Sequence, residues 1–252
     1  MSILKNKLAL VTGASRGIGR AIATRLAADG AVVAVHYGNS AAEAEAAVTA
    51  IVEAGGQAFA IQGDVRTVAG VDTLFQALDA GLASRGLSGL DILVNNAGIA
   101  TFEGFAETTE ATFDDAFDTN VKGLYFVTQR GLTRLRDGGR IINLSSVVAR
   151  TAFAGVPAYS ATKGAVNTLT VYLAAELGVR GITVNAVAPG AIDTDMSAWL
   201  RSDEGRDNAH AMQAIKRIGQ PEDIAAAVAF LARPDAAWVT GQIIETSGGT
   251  KL

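Results

Sequence analysis

Seven short apolar runs recur along the chain, and longer segments separate them. The runs cover residues 7–12, 31–36, 57–62, 91–96, 139–146, 181–189 and 241–247. Their apolar character is continuous rather than alternating, which is typical of strands buried on both faces of a sheet. Most intervening segments are long enough to hold crossover helices, so we expect the strands to run parallel. The pattern predicts the α/β class, with a doubly wound seven-stranded parallel sheet, helices on both faces and a single domain spanning residues 1–252.

The segments between the strands show helical period. Helices are predicted over residues 16–29, 41–54, 67–84, 109–134, 158–178 and 221–232. The segment at about 191–218 is polar and mixed, and it follows the end of a strand, where segments that cover active sites lie in such folds. We therefore predict that it is a lid.

The composition excludes several classes of function. Of 252 residues, 49% are hydrophobic and 18% charged, which favours a compact globule. The net charge of −4 is scattered, so no basic stripe indicates a nucleic-acid partner. The absence of cysteine excludes thiolate chemistry, and His36 and His210 lie too far apart in sequence to suggest a zinc motif. With no long apolar run and no cleavage site after the N-terminal residues, we expect a cytoplasmic protein without a membrane partner.

A glycine cluster follows the first strand and opens the first helix. Gly13, Gly17 and Gly19 have the spacing G-x-x-x-G-x-G, with Ser15, Arg16 and Ile18 between them. Glycines there let the backbone approach a pyrophosphate, and the helix N-terminus faces its charge. The spacing departs from the common G-x-G-x-x-G pattern, so a simple tight turn is the alternative.

The end of the second strand carries no carboxylate that would repel a 2′-phosphate. The residues at this point are His36, Tyr37, Gly38, Asn39 and Ser40. Arg16 offers a charge-assisted bond to such a phosphate, so NADP(H) is favoured over NAD(H). The alternative is that Arg16 is a solvated loop charge and that Tyr37 packs on the adenine. Asp64, after the third strand, either bonds the adenine amino group or caps the next helix.

Tyr159 and Lys163 stand four residues apart in a predicted helix and so share one face. An adjacent ammonium favours the phenolate, so Lys163 is expected to lower the pKa of Tyr159 toward neutrality. A surface pair is the alternative. Ser146, at the end of the fifth strand, would donate to a substrate carbonyl as charge develops on its oxygen. Ser145 is its rival, but its side chain should point to the opposite face of the strand.

The ordered set of motifs resembles the short-chain dehydrogenase/reductase family over essentially the whole chain. The matching elements are Thr12 and Gly13 through Gly19, Asp64, Asn95 to Gly98, Asn120, Ser146, Tyr159, Lys163, Pro189 and Gly190. The resemblance implies a Rossmann-like fold and a catalytic tetrad of Asn120, Ser146, Tyr159 and Lys163. In it Tyr159 donates the proton during reduction, Ser146 orients the carbonyl, Lys163 tunes Tyr159 and holds the ribose, and Asn120 positions a water that relays protons. On the residues alone, Asn120 is equally well explained by bonds to backbone.

The resemblance also implies the cofactor contacts. Pro189, Gly190, Ile192 and Thr194 would close over the nicotinamide or reach the pyrophosphate. The full expected set is Gly13, Ser15, Arg16, Gly17, Ile18, Gly19, His36, Tyr37, Asn39, Ser40, Asp64, Val65, Asn96, Ala97, Gly98, Tyr159, Lys163, Pro189, Gly190, Ile192 and Thr194. No metal is expected, and a homotetramer is the family expectation.

Among relatives, the sequence is most similar to NADPH-dependent 3-oxoacyl-[acyl-carrier-protein] reductases and to small-ketone or sugar reductases. Arg180 occupies one basic carrier-docking position, but Asp137 stands at the other and weakens that interpretation. The broader prediction is an NADPH-dependent ketoreductase acting on a small-molecule carbonyl. The alternatives are an NAD-dependent alcohol or sugar dehydrogenase and a non-catalytic nucleotide-sensing protein. Six apolar residues either line a substrate pocket or pack in the core: Ile99, Ala100, Val148, Phe153, Met196 and Trp199.

Overall fold

A computed structural model describes residues 3–252. It contains one sheet of seven parallel strands in the order β3-β2-β1-β4-β5-β6-β7. The strands are β1 (Leu8–Val11), β2 (Val32–Tyr37), β3 (Gln57–Gln62), β4 (Leu90–Asn95), β5 (Leu135–Leu144), β6 (Thr183–Pro189) and β7 (Ile243–Thr246). The strand order reverses between β1 and β4, which confirms the doubly wound, Rossmann-like α/β prediction.

Within residues 3–252, eight α-helices cover the sheet. They are α1 (Gly17–Ala28), α2 (Ala41–Glu53), α3 (Val68–Ala83), α4 (Glu110–Phe117), α5 (Leu124–Gly131), α6 (Pro157–Leu177), α7 (Asp203–Met212) and α8 (Pro221–Ala232). Successive residues of β1 enter different cores: Ala9 and Val11 pack with α1, α2 and α8, whereas Leu8 and Leu10 pack with α3, α5 and α6. Both faces of the strand are therefore buried, which explains its continuous apolar sequence.

The single helix predicted over residues 109–134 is wrong. The chain forms α4, a π-helical turn over Asp118–Gly123, and then α5, which ends at Gly131. Within the turn, both polar groups of the Asn120 side chain bond the backbone of Ile99. A π-helical turn inside a helix is uncommon and often marks a functional site. Strand β5 also begins earlier than predicted, at Leu135.

The 191–218 segment contains regular structure that its mixed composition did not predict. It forms a 3₁₀ stretch over Asp195–Arg201 and then α7, whose first turn is capped by Ser202, which accepts a hydrogen bond from the amide of Gly205 at 3.1 Å. Its two ends meet where Ile192 pairs with Gly219 in a parallel bridge. In the part of the chain that the structure describes, no helix combines the length and apolar character needed to cross a bilayer.

Candidate active site

The carboxyl ends of β1, β4, β5 and β6 open onto a cavity of about 840 Å³, which the 191–218 segment also lines. This is the edge where ligands bind in open parallel sheets. Most of the predicted site residues meet at its wall: Gly13, Ser15, Arg16, Gly17, Ile18, Gly19, Ser40, Asn96, Ala97, Gly98, Ser146, Tyr159, Lys163, Pro189, Gly190, Ile192 and Thr194.

The glycine loop is held close to its neighbours and leaves a helix terminus facing the cavity. Gly13 and Gly17 have left-handed φ values of 61° and 54°, which side-chain-bearing residues rarely adopt. A Cβ on Gly19 would lie 2.3 Å from the Gly13 carbonyl oxygen. Helix α1 begins at Gly17 without a side-chain cap and without an acidic residue in its first turn. Its first amide groups are therefore suited to an anion such as a pyrophosphate.

His36 lies beneath the glycine loop, not at the cavity surface where a cofactor contact was predicted. Its side chain is 1% exposed. Nδ1 accepts a hydrogen bond from the Gly13 amide at 3.1 Å, and Nε2 lies 2.9 Å from the Gly63 carbonyl oxygen, to which it donates. Burial lowers the pKa of His36 to about 4, so the ring is neutral near physiological pH. Both ring nitrogens are used within the protein.

Four other predicted cofactor residues lie outside the cavity lining. Tyr37 ends β2, Asn39 follows it, and Val65 is buried at 8% exposure. Asp64 pairs with Arg66, whose Nη2 lies 2.9 Å from its carboxylate, and the hydrogen bond from Arg66 lowers the pKa of that carboxyl. The alternative role for Asp64 as a helix cap is wrong, because Thr67 caps α3 by accepting from the Gly70 amide.

The turn after β4 is fastened to the glycine loop by Thr12 and Asn96. Thr12 Oγ1 accepts hydrogen bonds from the amides of Asn96 and Ala97, both at 3.0 Å. Asn96 Nδ2 donates to the carbonyls of Thr12 and Gly13, both at 2.9 Å. These bonds join the two loops that border the cavity into one unit.

Tyr159, Lys163 and Ser146 meet at the floor of the cavity. The Ser146 side chain lies beside the Tyr159 hydroxyl, and its interaction with that hydroxyl lowers the pKa of Tyr159. Lys163 Nζ donates to the Leu144 carbonyl at 2.8 Å and lies 5.5 Å from the centroid of the Tyr159 ring. The Ser145 hydroxyl is instead held by Asn167 Oδ1 at 2.6 Å. Ser146 is therefore the serine hydroxyl beside the tyrosine.

Burial is the largest cause of the pKa shifts of Tyr159 and Lys163, and the Lys163 ammonium is not a cause of the Tyr159 shift. Burial raises the pKa of Tyr159 to about 12, and the interaction with Ser146 opposes that shift. Burial also lowers the pKa of Lys163 to about 8. The prediction that Lys163 brings the pKa of Tyr159 toward neutrality is wrong for this structure, since Nζ is directed at the Leu144 carbonyl.

Asn120 connects the π-helical turn to the catalytic helix. Its Oδ1 accepts from the Ile99 amide at 2.8 Å, and its Nδ2 donates to the Ile99 carbonyl at 2.9 Å and to Thr162 Oγ1 at 3.1 Å. Thr162 Oγ1 in turn donates to the Tyr159 carbonyl at 2.7 Å. The side chain thus makes the backbone bonds that the sequence left as an alternative, and it holds Tyr159 in place through Thr162.

Several polar residues of the cavity were missed by the sequence: Asp195, Ser197, Gln213 and Thr250. Gln213 is 4% exposed and lines the cavity beside Met212. It lies in a polar segment where a glutamine carries no distinguishing pattern. The six apolar candidates from Ile99 to Trp199 all line the same cavity.

Comparison with known proteins shows which proteins this chain resembles. The family model described as enoyl-(acyl carrier protein) reductase matches residues 13–251. A 3-oxoacyl-[acyl-carrier-protein] reductase of Staphylococcus aureus is 45% identical over 245 residues, covering 96% of this chain and 97% of the relative. A hydroxynaphthalene reductase-like protein of Metarhizium brunneum is 40% identical over 262 residues, covering 98% and 96%.

Solved structures agree closely. The angucycline C-6 ketoreductase LanV, solved with bound NADP, matches with a TM-score of 0.95 and 43% identity over 99% of this chain and 97% of that one. The promiscuous reductase LugOII, which catalyses keto-reduction at C1 during lugdunomycin biosynthesis, matches with a TM-score of 0.96 and 42% identity over 100% of both chains. Fold, site and similarities together define an NAD(P)-dependent oxidoreductase. The chain belongs to the short-chain dehydrogenase/reductase family.

Proposed function

We propose that this protein is an NADPH-dependent ketoreductase. A ketone, NADPH and one proton give a secondary alcohol and NADP⁺. The observation that carries the proposal is that Tyr159 and Ser146 line the cavity floor side by side, with both hydroxyls within reach of one ligand oxygen. A carbonyl oxygen beside this pair receives two O–H donors where negative charge develops.

The lining residues fit a dinucleotide. The amides of the glycine loop and of the first turn of α1 would hold the pyrophosphate, with Thr194 opposite Gly17. The turn Asn96–Gly98 and the stretch Pro189–Ile192 would border the nicotinamide, and Lys163 would hold the ribose. The reduced nicotinamide, when bound, supplies a hydride to the carbonyl carbon. The 191–218 segment acts as the lid over the substrate.

Tyr159 supplies the proton to the carbonyl oxygen. A pKa of about 12 keeps its hydroxyl protonated at neutral pH, which is the form that donates. Ser146 orients the same oxygen. Lys163, with a pKa of about 8, is an ammonium at neutral pH and supplies the proton that replaces the one Tyr159 gives up. Asn120 fixes the backbone on which Tyr159 stands, and a water beside it would return a proton through Lys163.

The charge pattern supports NADPH over NADH. Arg16 is an exposed cavity-lining cation whose side chain has no ion-pair or hydrogen-bond partner within residues 3–252. No carboxylate stands between His36 and Ser40 to repel a 2′-phosphate. The bound NADP of LanV gives the same indication.

Docking of an acidic carrier protein has little free positive charge to use. Arg180 Nε lies 2.8 Å from Asp137, Arg136 Nη1 lies 2.7 Å from Asp91, and Arg134 Nε donates to Asp79 at 2.8 Å. The first pair neutralises Arg180, the basic position identified in the sequence, and the other two neutralise neighbouring arginines. We therefore propose a free ketone as the substrate. A carrier-bound 3-oxoacyl thioester is the second candidate, because of the similarity to the Staphylococcus aureus reductase.

The test is a cofactor comparison in the near-ultraviolet, where reduced nicotinamide absorbs. Purified protein is assayed with an activated simple ketone and with an acetoacetyl thioester, each with NADPH and NADH. We expect NADPH to be favoured by at least about tenfold in kcat/KM, the worth of one charge-assisted bond. Arg16→Gln should remove most of that ratio, whereas Arg20→Gln, one turn further along α1, should retain it. Equal use of NADH by the natural sequence would overturn the cofactor assignment.

The role of Tyr159 is tested by Tyr159→Phe. Loss of the donor should lower kcat by about 10²-fold or more while NADPH binding stays close to that of the natural protein. Tyr172→Phe, at an exposed position of the same helix, is the matched control. Retention of a tenth of the natural rate by Tyr159→Phe would contradict the assignment.

A further inference from the structure

The substrate end of the cavity is apolar and largely aromatic. Phe102, Met196 and Trp199 line it and remain 60%, 45% and 42% exposed, and Phe153 and Met212 complete the wall. Exposed aromatic surface gathered in a concave site marks a place for an apolar ligand. Rings such as Phe153 and Trp199 stack well on a flat partner.

This end of the cavity offers no free charge. Among the lining residues of the described chain, only Arg16, Lys163 and Asp195 are charged. Asp195 is paired with Arg201 at 2.8 Å, Lys163 is bonded to the Leu144 carbonyl, and Arg16 belongs to the glycine loop. A phosphate or carboxylate on the substrate would find no free cation beside the aromatic wall, so an uncharged substrate fits best.

Gln213 supplies an unused hydrogen-bond acceptor in this apolar surrounding. Its Nε2 donates to the Ser247 carbonyl at 3.3 Å, which distinguishes the amide nitrogen from the oxygen. Its Oε1 is buried and has no hydrogen-bond partner within residues 3–252. A buried acceptor without a donor is unfavourable in the protein alone, and a donor on a ligand would satisfy it once the amide turns toward the cavity.

The backbone around Gln213 is firmly held. The amides of Ala214 and Ile215 donate to Gly249 and Gly248 at 3.1 and 2.8 Å, and Gln213 itself forms an antiparallel bridge with Thr250. The facing wall is tied to the same C-terminal stretch, because Lys251 Nζ donates to the Ala152 carbonyl and lies 4.1 Å from the Phe153 ring centroid. The acceptor and the aromatic wall therefore have a fixed relation to each other.

We propose that the substrate is a flat, uncharged aromatic ketone that carries a hydroxyl group. The ring system lies against Phe153 and Trp199, the hydroxyl donates to Gln213 Oε1, and the ketone oxygen faces Tyr159 and Ser146. This inference rests on the proposed ketoreductase activity and names its substrate class. Gln213 is on this view a specificity-determining residue, since a substrate without the hydroxyl leaves its acceptor unpaired.

The first experiment measures kcat/KM with NADPH for α-tetralone and for its isomers hydroxylated at different carbons of the aromatic ring. The measured quantity is the ratio of the best hydroxylated isomer to α-tetralone. We expect a ratio of about tenfold or more, falling toward one in Gln213→Met. Gln76→Met, at an exposed position of α3, is the matched control and should keep the natural ratio. A natural ratio near one, or a ratio that survives in Gln213→Met, would overturn the inference.

The second experiment measures binding directly and keeps the two proposals separable. The chain has two tryptophans, so Trp238→Phe leaves Trp199 as the sole tryptophan. Addition of the best hydroxylated tetralone to the NADP⁺-loaded protein should quench its fluorescence, with free tryptophan as the correction for ligand absorption. Quenching without turnover of any ketone would sink the proposed function alone. Absence of quenching, or an acetoacetyl thioester reduced more than about tenfold better than every tetralone, would reject the aromatic substrate while leaving ketoreduction intact.

Discussion

One nitrogen of the His36 imidazole accepts a hydrogen bond from the Gly13 amide at 3.1 Å, and the other donates a hydrogen bond to the Gly63 carbonyl at 2.9 Å. A single side chain at the end of β2 thereby joins the loop after β1 to the loop after β3. These bonds require the neutral tautomer that carries its proton on Nε2. The conformation of the glycine loop depends on a residue that does not line the cavity.

Two substitutions separate the bonds of His36. His36→Asn keeps a short acceptor for the Gly13 amide, whereas His36→Gln directs its amide toward Gly63 and leaves Gly13 without its acceptor. We expect the Kd for NADPH to rise by about tenfold in the glutamine variant and by much less in the asparagine variant, since one hydrogen bond is worth about 1 kcal/mol. Calorimetric titration measures both values. Equal Kd values for the two variants would show that the Gly13 bond does not shape the cofactor loop.

The same histidine makes stability depend on pH. Burial lowers its pKa from 6.5 to about 4. Between pH 6.5 and about 4, His36 is therefore protonated in the unfolded chain but neutral in the native protein. Stability should therefore fall as the pH drops from 6.5 to about 4, by about 3 kcal/mol from this residue. Urea unfolding at a series of pH values measures it, and His36→Asn should lack this part of the slope. An identical slope in the variant would assign the loss to other groups.

Gly19 is predicted to be intolerant of any side chain. A Cβ there would lie 2.3 Å from the Gly13 carbonyl oxygen and 2.4 Å from Asn96 Nδ2, so the two fastened loops would have to separate. Gly19→Ala should lower the unfolding free energy by about 1–3 kcal/mol and abolish NADPH binding. Gly38→Ala is the control, because a Cβ at that position meets nothing within 4 Å. Thermal unfolding and cofactor titration of both variants decide the matter, and normal NADPH binding by Gly19→Ala would count against the close-packed loop.

The titration of Lys163 should make the rate of ketone reduction fall at alkaline pH. Its pKa of about 8 means that the ammonium is present below that pH and is lost above it. Since the ammonium supplies the proton that passes through Tyr159 to the carbonyl oxygen, kcat/KM should decline as the pH rises through about 8. The pH profile of Lys163→Met, however slow, should lack that inflection, while Lys5→Met at an exposed position should keep it. A natural profile that is flat through this range would contradict the assignment.

The sheet was predictable because its strands bury both faces. Leu8 and Ala9 are adjacent in sequence yet enter opposite cores, so an apolar run without alternation indicated the parallel arrangement. The glycine loop and the pair of Tyr159 and Lys163 were also visible, because their spacing within one element fixes which side chains share a face.

Other features depend on contacts between distant parts of the chain. The π-helical turn is set by bonds from Asn120 to Ile99, 21 residues away, and its local sequence fits an ordinary helix. The burial of His36 could be predicted in part, because a polar side chain near the end of a buried strand needs hydrogen-bond partners. The identity of those partners could not, because they lie on two other loops. Gln213 gave no signal, because its role arises from a pairing with Thr250 at the far end of the chain.

The bridge between Ile192 and Gly219 brings together the two ends of the segment that lines the substrate end of the cavity. The segment leaves the end of β6 and returns to the start of α8 through two neighbouring points, held by the bonds from Asp193 to the Gly219 carbonyl at 2.9 Å and from Gly219 to the Ala191 carbonyl at 3.1 Å. Because loop closure depends only weakly on loop length, stretches of other lengths and compositions between Asp193 and Met212 would leave the sheet and the catalytic pair unstrained, while the bridge from Gln213 to Thr250 would keep the rest of the segment in place. Replacing this stretch with one from a related protein should therefore change the substrate preference without disturbing the fold, and the same exchange is available to evolution.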